Sequence, residues 1–291
     1  MYLDLADDGR FDAFGGRHAA RDIGWTVLIP FFNERALLAA TIASLAAQTE
    51  PFTLVLVDNG STDGSGAVAE AACRAHQLDY VLIAERTPGK VAALRSGLRW
   101  VRTRWIATCD ADTLYPPHYL ATAQAILMQP GHVVAGAYSV PVHSSEPARF
   151  AESARFLLAT RLLPHRCHAR GAGQAFRTQS LREAGGFDTL RWNFVFEDHE
   201  VIHRMRRKGR IGYSRELWCM PSPREQDRAS VGWTLLERLL YAVAAPIAPD
   251  WFFYSFLARR LQRRRLLSNR MRERRYHQNE GPALVSSHPV R

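Results

Sequence analysis

Two aspartates one residue apart, Asp110 and Asp112, end the apolar run Trp105-Ile106-Ala107-Thr108-Cys109. Residues two apart on an extended chain share a face, so both carboxylates can converge on one hard divalent cation and a phosphate-bearing substrate. Asp-x-Asp is short, and two solvated acids opening the Pro116-Pro117 turn would explain it better if nothing else stood with it. A second acidic group, Glu197-Asp198-His199-Glu200, opens a segment that ends in Arg204, Arg206, Arg207 and Lys208. That polarity suits a helix dipole, which is reason enough for the acids. Lys90 follows Gly89 at the start of a helical stretch, where an ammonium can meet phosphate oxygens as a point charge.

These groups need elements to position them, and the hydrophobic pattern supplies a regular series. Trp25 to Ile29 reads as a buried strand closed by Pro30, and Asn33 is expected to cap a helix with Leu37, Leu38, Ile42 and Leu45 inward. The unit repeats with a strand from Thr53 to Val57, the loop Asp58-Asn59-Gly60-Ser61-Thr62-Asp63-Gly64 and an Ala-rich helix. A strand from Tyr80 to Ala84, a helix from Lys90 through Trp100 and the strand before Asp110 follow. Short apolar strands alternating with helices predict a parallel sheet with right-handed crossovers. Ligands bind such sheets outside the carboxyl ends of the strands, where Asn33-Glu34, Asp58-Asn59, Glu85-Arg86 and Asp110-x-Asp112 fall. Gly-x-Gly-x-x-Gly after the first strand and the P-loop signature are both missing, so dinucleotide redox chemistry and P-loop phosphoryl transfer lose their usual supports.

Beyond Pro116 the pattern predicts a helix to about Gln129 and an alternating strand from His132 to Val142. An amphipathic helix over 146–163 is expected to turn Phe150, Ala154, Leu157 and Leu158 inward. Gly171 to Arg177 reads as a Gly-rich strand that a backbone or ligand approaches closely. His199 and Glu200 are expected on the helix surface or behind the site.

Six stretches in this order resemble a family 2 glycosyltransferase of the GT-A fold: Ile29-Pro30-Phe31-Phe32-Asn33-Glu34, Val57 to Gly64, Gly89-Lys90, Asp110-Ala111-Asp112, Gly185-Gly186-Phe187-Asp188 and Glu197-Asp198. The similarity covers roughly residues 24 to 225. It implies an α/β fold with a Rossmann-like nucleotide-binding half around a mostly parallel sheet, and an acceptor-binding half. The implied boundaries are a lead-in over 1–22, a catalytic domain over 23–228 divided at 115/116, and a helical, Arg-rich extension over 229–291. By the same resemblance Pro30, Asn33, Glu34 and Asp58 line the nucleoside pocket and Lys90 meets the diphosphate. Asp110 sits against ribose or a metal-bound water, and Asp112 ligates Mg²⁺ or Mn²⁺. Asp198 is the catalytic base, with Glu197 orienting it or the acceptor. The implied reaction is inverting, non-processive transfer from a UDP- or GDP-linked sugar to an acceptor hydroxyl. Two departures stand out: Asn59 replaces a second Asp common among relatives, and the Gln-x-x-Arg-Trp of polymer synthases is only echoed by Arg224, Arg228 and Trp233. A catalytically silent nucleotide-binding scaffold at a membrane is the alternative reading. A nucleotidyltransferase would want a Gly-rich N-terminal signature that is missing.

Composition bounds the rest. The 291 residues are 47% hydrophobic and carry a formal charge of +10, of which +8 lies between Arg259 and Arg275, a segment with nine Arg and one Glu. Four scattered cysteines without a Cys-x-x-Cys pair suit a reduced, cytoplasmic chain. His165-Arg166-Cys167-His168 lacks a second ligand cluster, so a loop or core segment is expected there rather than zinc. The N-terminus lacks the pattern of a signal peptide. Leu239 to Ala258 is apolar but interrupted by Pro246, Pro249 and Asp250, which predicts a helical hairpin packed on the domain or lying in a membrane surface, not a span. The arginine run is expected to meet anionic lipid on the inner face of the membrane. Nucleic acid is the least favoured partner, since no base-reading module is present.

Overall fold

The computed structural model describes residues 24–141, 144–169, 171–222 and 231–273. The first half alternates as the pattern predicts: β1 (Trp25–Phe31), α1 (Leu38–Ala46), β2 (Phe52–Asp58), α2 (Ser65–Ala75), β3 (Tyr80–Ala84), α3 (Lys90–Leu98) and β4 (Trp105–Cys109). Then come β5 (Thr113–Leu114), α4 (Tyr119–Met128), β6 (His132–Gly136), β7 (Tyr138–Ser139), α5 (Glu146–Leu162), β8 (Gly173–Arg177), α6 (Thr178–Glu183), α7 (Glu197–Met205), β9 (Arg210–Gly212) and β10 (Trp218–Pro221). The C-terminal part holds α8 (Leu235–Ile247), a π-helical stretch Trp251–Leu257, α9 (Ala258–Arg263) and a 3-10 helix Ser268–Glu273.

Among the described residues the main sheet has seven strands in the order β3-β2-β1-β4-β8-β6-β9. Strands β1 to β4 are mutually parallel, β8 is antiparallel to both β4 and β6, and β6 pairs parallel with β9. Every residue of β1 and of β4 is buried. Helices cover both sheet faces, so these strands read as continuous apolar runs, as parallel sheets require. Trp25, Val27 and Ile29 pack into the core on one face, and Leu28 packs into the core on the other. A smaller sheet, β5-β10-β7, stands beside the end of β4. This is the α/β, GT-A architecture with a helical C-terminal part.

The single strand expected from His132 onward divides into β6 in the main sheet and β7 in the smaller one, and two further details differ. Asn33 does not cap a helix: α1 begins at Leu38, and Asn33 adopts a left-handed backbone with φ 52°. Its side-chain oxygen instead accepts from the Thr62 N–H at 2.9 Å. The second difference is the inner face of α5, where Phe150 and Leu158 are more than half exposed and Ser153 is buried. Phe156 chooses that face by packing on Tyr138 at 5.1 Å and Tyr213 at 5.3 Å. Apolar residues lie all around this helix, and aromatic partners from distant strands decide which of them turn in.

The C-terminal helices share a core with Trp192 and Val195. At its edge Glu237 is fully buried and accepts from Arg260 Nε at 2.9 Å and Arg264 Nη1 at 2.9 Å. It also closes a capping box with Thr234 at the start of α8. Arg260 and Arg264 therefore face inward, away from the lipid expected for the run. Burial raises the Glu237 pKa, but the Thr234 N–H and the two guanidinium groups outweigh it and hold the carboxyl below its ordinary value. Its contribution is complete above the unfolded carboxylate pKa and is lost as pH falls through the lower folded one. Glu237→Ala is expected to cost about 2–3 kcal/mol in urea unfolding, less than a wholly buried pair because both arginines keep partial contact with water.

Candidate active site

The carboxyl ends of β1, β2 and β4 converge on a cavity of about 260 Å³. Pro30, Glu34, Lys90, Asp110 and Asp112 line it. Asn33 and Asp58 are not among its lining residues. Asp58 accepts from the Ser61 N–H at 2.7 Å, so both residues brace the β2–α2 loop behind the cavity.

The two aspartates are held differently. The Asp110 N–H donates to Tyr115 Oη at 2.9 Å, and that hydroxyl donates to the Ala172 carbonyl at 2.6 Å. Thr41 Oγ1 donates to the Ala111 carbonyl at 2.9 Å, which ties the intervening residue to α1. Asp112 is buried, accepts from Ser222 Oγ at 3.3 Å and Thr113 Oγ1 at 3.2 Å, and is anchored through β5 to β10. Lys90 Nζ, at the first turn of α3, lies 2.6 Å from Asp110 Oδ1 and 3.2 Å from Glu197 Oε1. One ammonium thus joins the end of β4 to the start of α7. Burial opposes its charge, but Asp110 and Glu197 outweigh it and raise the Lys90 pKa above the ordinary lysine value.

A second cavity of about 580 Å³ shares Lys90 and Asp110 with the first and is lined by Glu197, Asp198, His199 and Trp233. Phe196, with φ 65°, turns the chain into α7 so that its first two acids face this space. Asp198 Oδ1 accepts from the His199 N–H and pairs with His199 Nδ1, each at 2.9 Å. Burial pushes the Glu197 carboxyl up. Burial would do the same to Asp198, but the His199 imidazole, with the Lys90 ammonium and the His199 N–H, outweighs it and holds Asp198 below its ordinary value. Gly171, two residues before β8, borders Asp198 so closely that a Cβ there would lie 3.2 Å from Oδ2; the close neighbour is a side chain, where a backbone or ligand is expected. Glu200 is not at the surface. It is buried, pairs with Arg204 at 2.7 Å and accepts from Tyr254 Oη at 2.6 Å, while Arg204 donates to the Ala184 and Gly186 carbonyls that shape the Gly185-Gly186 turn.

Sequence reasoning missed several residues here. Asn59 lines the first cavity, donates to the Glu85 and Thr87 carbonyls at 3.1 and 2.8 Å, and accepts from the Gly89 N–H at 2.8 Å. Its departure from Asp is therefore structural: a carboxylate has no donor for two carbonyls. Asn59→Asp is expected to cost about 1–3 kcal/mol in thermal or urea unfolding. Ser268 and Met271 wall the same cavity from the C-terminal end. Ser268 Oγ accepts from the Val91 N–H at 3.3 Å, and a Cβ on Gly89, whose φ is 118°, would lie 2.9 Å from that oxygen. No local pattern announces a partner 177 residues away. Arg224 and Arg228 lie outside the described residues. Among the described residues, no group of three or more His, Cys, Asp and Glu is placed to hold a metal ion unaided.

The model of the family described as "Glycosyl transferase family 2" matches residues 26–185. The chain belongs to this family. Its resemblance to family 2 glycosyltransferases of the GT-A fold stands. Among curated relatives, the undecaprenyl-phosphate 4-deoxy-4-formamido-L-arabinose transferase of Shewanella sediminis (strain HAW-EB3) is 36% identical over 97 residues, 32% of this chain and 29% of that protein. The protein of the same name from Serratia proteamaculans (strain 568) is 36% identical over 99 residues, 32% of this chain and 30% of its own length. The match thus spans about a third of these relatives. Among solved structures, a mannosyltransferase from Pyrobaculum calidifontis, in complex with GDP-Man and Mn²⁺, superposes with a TM-score of 0.59 at 21% identity, covering 81% of this chain and 73% of that one. S. aureus TarS 1–349 gives 0.55 at 17% identity, over 79% and 72% of the two chains. Both likenesses concern the fold.

Proposed function

We propose that the protein is an inverting, metal-dependent, non-processive glycosyltransferase that moves a sugar from a UDP- or GDP-linked donor to an acceptor hydroxyl. The observation that carries this reading is the Lys90 ammonium between Asp110 at 2.6 Å and Glu197 at 3.2 Å, where the two cavities meet. A bond broken on one side of that junction and formed on the other lies within reach of both sets of acids.

The nucleoside end of the donor is assigned to the first cavity, beside Pro30 and Glu34. Asp112, with Asp110, would hold Mg²⁺ or Mn²⁺, and the donor set fits: hard carboxylate oxygens one residue apart on one wall. A cation bound there would supply stabilisation of charge on the departing diphosphate. Lys90 meets the diphosphate and keeps Asp110 and Glu197 oriented through its two ion pairs. Asp198 takes the proton from the acceptor hydroxyl. Its depressed pKa keeps it ionised at neutral pH, and His199 holds one of its oxygens, leaving the other for the acceptor. The deprotonated acceptor oxygen attacks the anomeric carbon on the face opposite the diphosphate, forming the new C–O bond as the bond to the diphosphate breaks, and the centre inverts. Glu197, raised by burial and paired with Lys90, serves as an orienting group.

The test is nucleotide release from a panel of UDP- and GDP-sugars, with Mn²⁺ and with EDTA, against hydroxyl acceptors. Metal-dependent release supports the reading. Nucleotide binding without release or transfer under every condition would favour the silent scaffold.

A further inference from the structure

Helix α8 is apolar on two sides. Its inward side buries Tyr241, Ala244 and Ala245 against the C-terminal core. Its outward side carries Leu235, Leu239, Val243 and Ile247, which are 73%, 58%, 63% and 76% exposed. The spacing of four places them in one stripe along the helix. Trp251, half exposed, follows just beyond its end. Singly exposed leucines are ordinary, but a row of four aliphatic side chains on one helix is a surface that calls for a partner.

Charge identifies that partner. The one acid of α8, Glu237, is buried and engaged by Arg260 and Arg264, whereas Arg238 beside the stripe is exposed. Arg259, Arg263, Arg265 and Arg270 are exposed as well, and Asp250 is taken up by Arg207 at 2.6 Å and His203 at 2.7 Å. An exposed apolar stripe with a terminal aromatic, Arg238 beside it and further exposed arginines on the segment that follows is suited to lie at the boundary of anionic head groups and acyl chains. No helix among the described residues is long and apolar enough to cross a membrane.

The stripe also adjoins the acceptor cavity. Arg238 and Tyr241, both on α8, line that cavity. Opposite them, the chain leaving α5 brings Arg166 over the Tyr241 ring at 5.3 Å, and the Cys167 N–H donates to Tyr241 Oη at 2.9 Å. Leu158 and Leu162, at the end of α5, are exposed too.

We propose that the outward stripe of α8 docks on an anionic lipid surface and sets the mouth of the acceptor cavity at that surface, so that the acceptor is a membrane-borne molecule. The second clause rests on the catalytic reading above; the first does not. The test is sedimentation of the full chain with phosphatidylcholine vesicles containing phosphatidylglycerol, without donor or metal. The Leu239→Glu/Val243→Glu double variant changes only exposed positions, so its thermal unfolding should match wild type while its vesicle partition falls at least about tenfold. Leu190→Glu, at a loop leucine that is 93% exposed, should bind as wild type does. Unchanged vesicle binding by the double variant, or none by wild type, overturns the proposal. A solution dimer that the double variant splits also overturns it, because a second copy would then cover the stripe. Vesicle binding without nucleotide release from any donor would defeat the catalytic reading and leave the docking surface standing.

Discussion

Asp112→Asn is expected to lower kcat/KM by about 10³-fold, the scale of removing a charge that acts on the leaving group. The substitution is nearly isosteric, and the Thr113 and Ser222 hydroxyls that bond Asp112 can rotate to suit an amide. Unfolding should therefore change little while metal affinity falls. The signature is partial recovery at high Mn²⁺, measured as initial rate against metal concentration. Loss of rate that no Mn²⁺ concentration relieves, with normal Mn²⁺ affinity, would remove Asp112 from the metal site.

Asp198→Asn should have a different signature. Its rate falls about 10²- to 10⁴-fold, the range for loss of a general base, while donor and metal affinity stay at wild-type values. The pH profile adds a sign. With the Asp198 pKa lowered by His199 against the pull of burial, the wild-type rate stays level through neutral pH and drops only as pH falls through that depressed value. Replacing His199 with Phe leaves burial unopposed by the imidazole, so the acid limb moves to higher pH. A limb that stays in place would mean that another group governs it, and unchanged turnover in Asp198→Asn would exclude it as the base.

The parts of this site that were legible in the sequence lie at the ends of buried parallel strands. β1 and β4 must be apolar on both faces, so a polar residue at the end of either run stands out, and Pro30, Glu34 and the Asp110–Asp112 pair reach one cavity as expected. Lys90 was legible by its place after Gly89, although its two carboxylate partners were not. What stayed hidden depends on contacts between distant segments. Asn33 looked like a cap because caps favour its type, yet it serves the β2–α2 loop. Asn59 stands out in the sequence only as a departure from a second Asp, and it is a bracket for the Gly89 loop. The arginine run is expected to meet anionic lipid, yet the buried Glu237 draws Arg260 and Arg264 inward. The apolar residues of α5 gave no single face, and Tyr138 and Tyr213 made the choice.

The wall of the candidate site also depends on contacts that local pattern does not encode. Ser268 and Met271 bring the C-terminal part to the cavity that the first β-α units build, so the arginine-rich segment is joined to the site as well as to its surface. Removing residues beyond α9 would therefore disturb the cavity wall along with the charge. Substitutions on the outward face of α8 separate those two effects.

In the proposed reaction Asp112 and the donor diphosphate share one divalent cation in the first cavity, beside its junction with the second. Anomalous diffraction from crystals of the protein soaked with Mn²⁺ and UDP or GDP tests it most directly. One Mn²⁺ peak is expected within coordination distance of an Asp112 carboxylate oxygen and of the diphosphate. Nucleotide bound in the cavity with no Mn²⁺ at Asp112, or Mn²⁺ bound elsewhere, would contradict it.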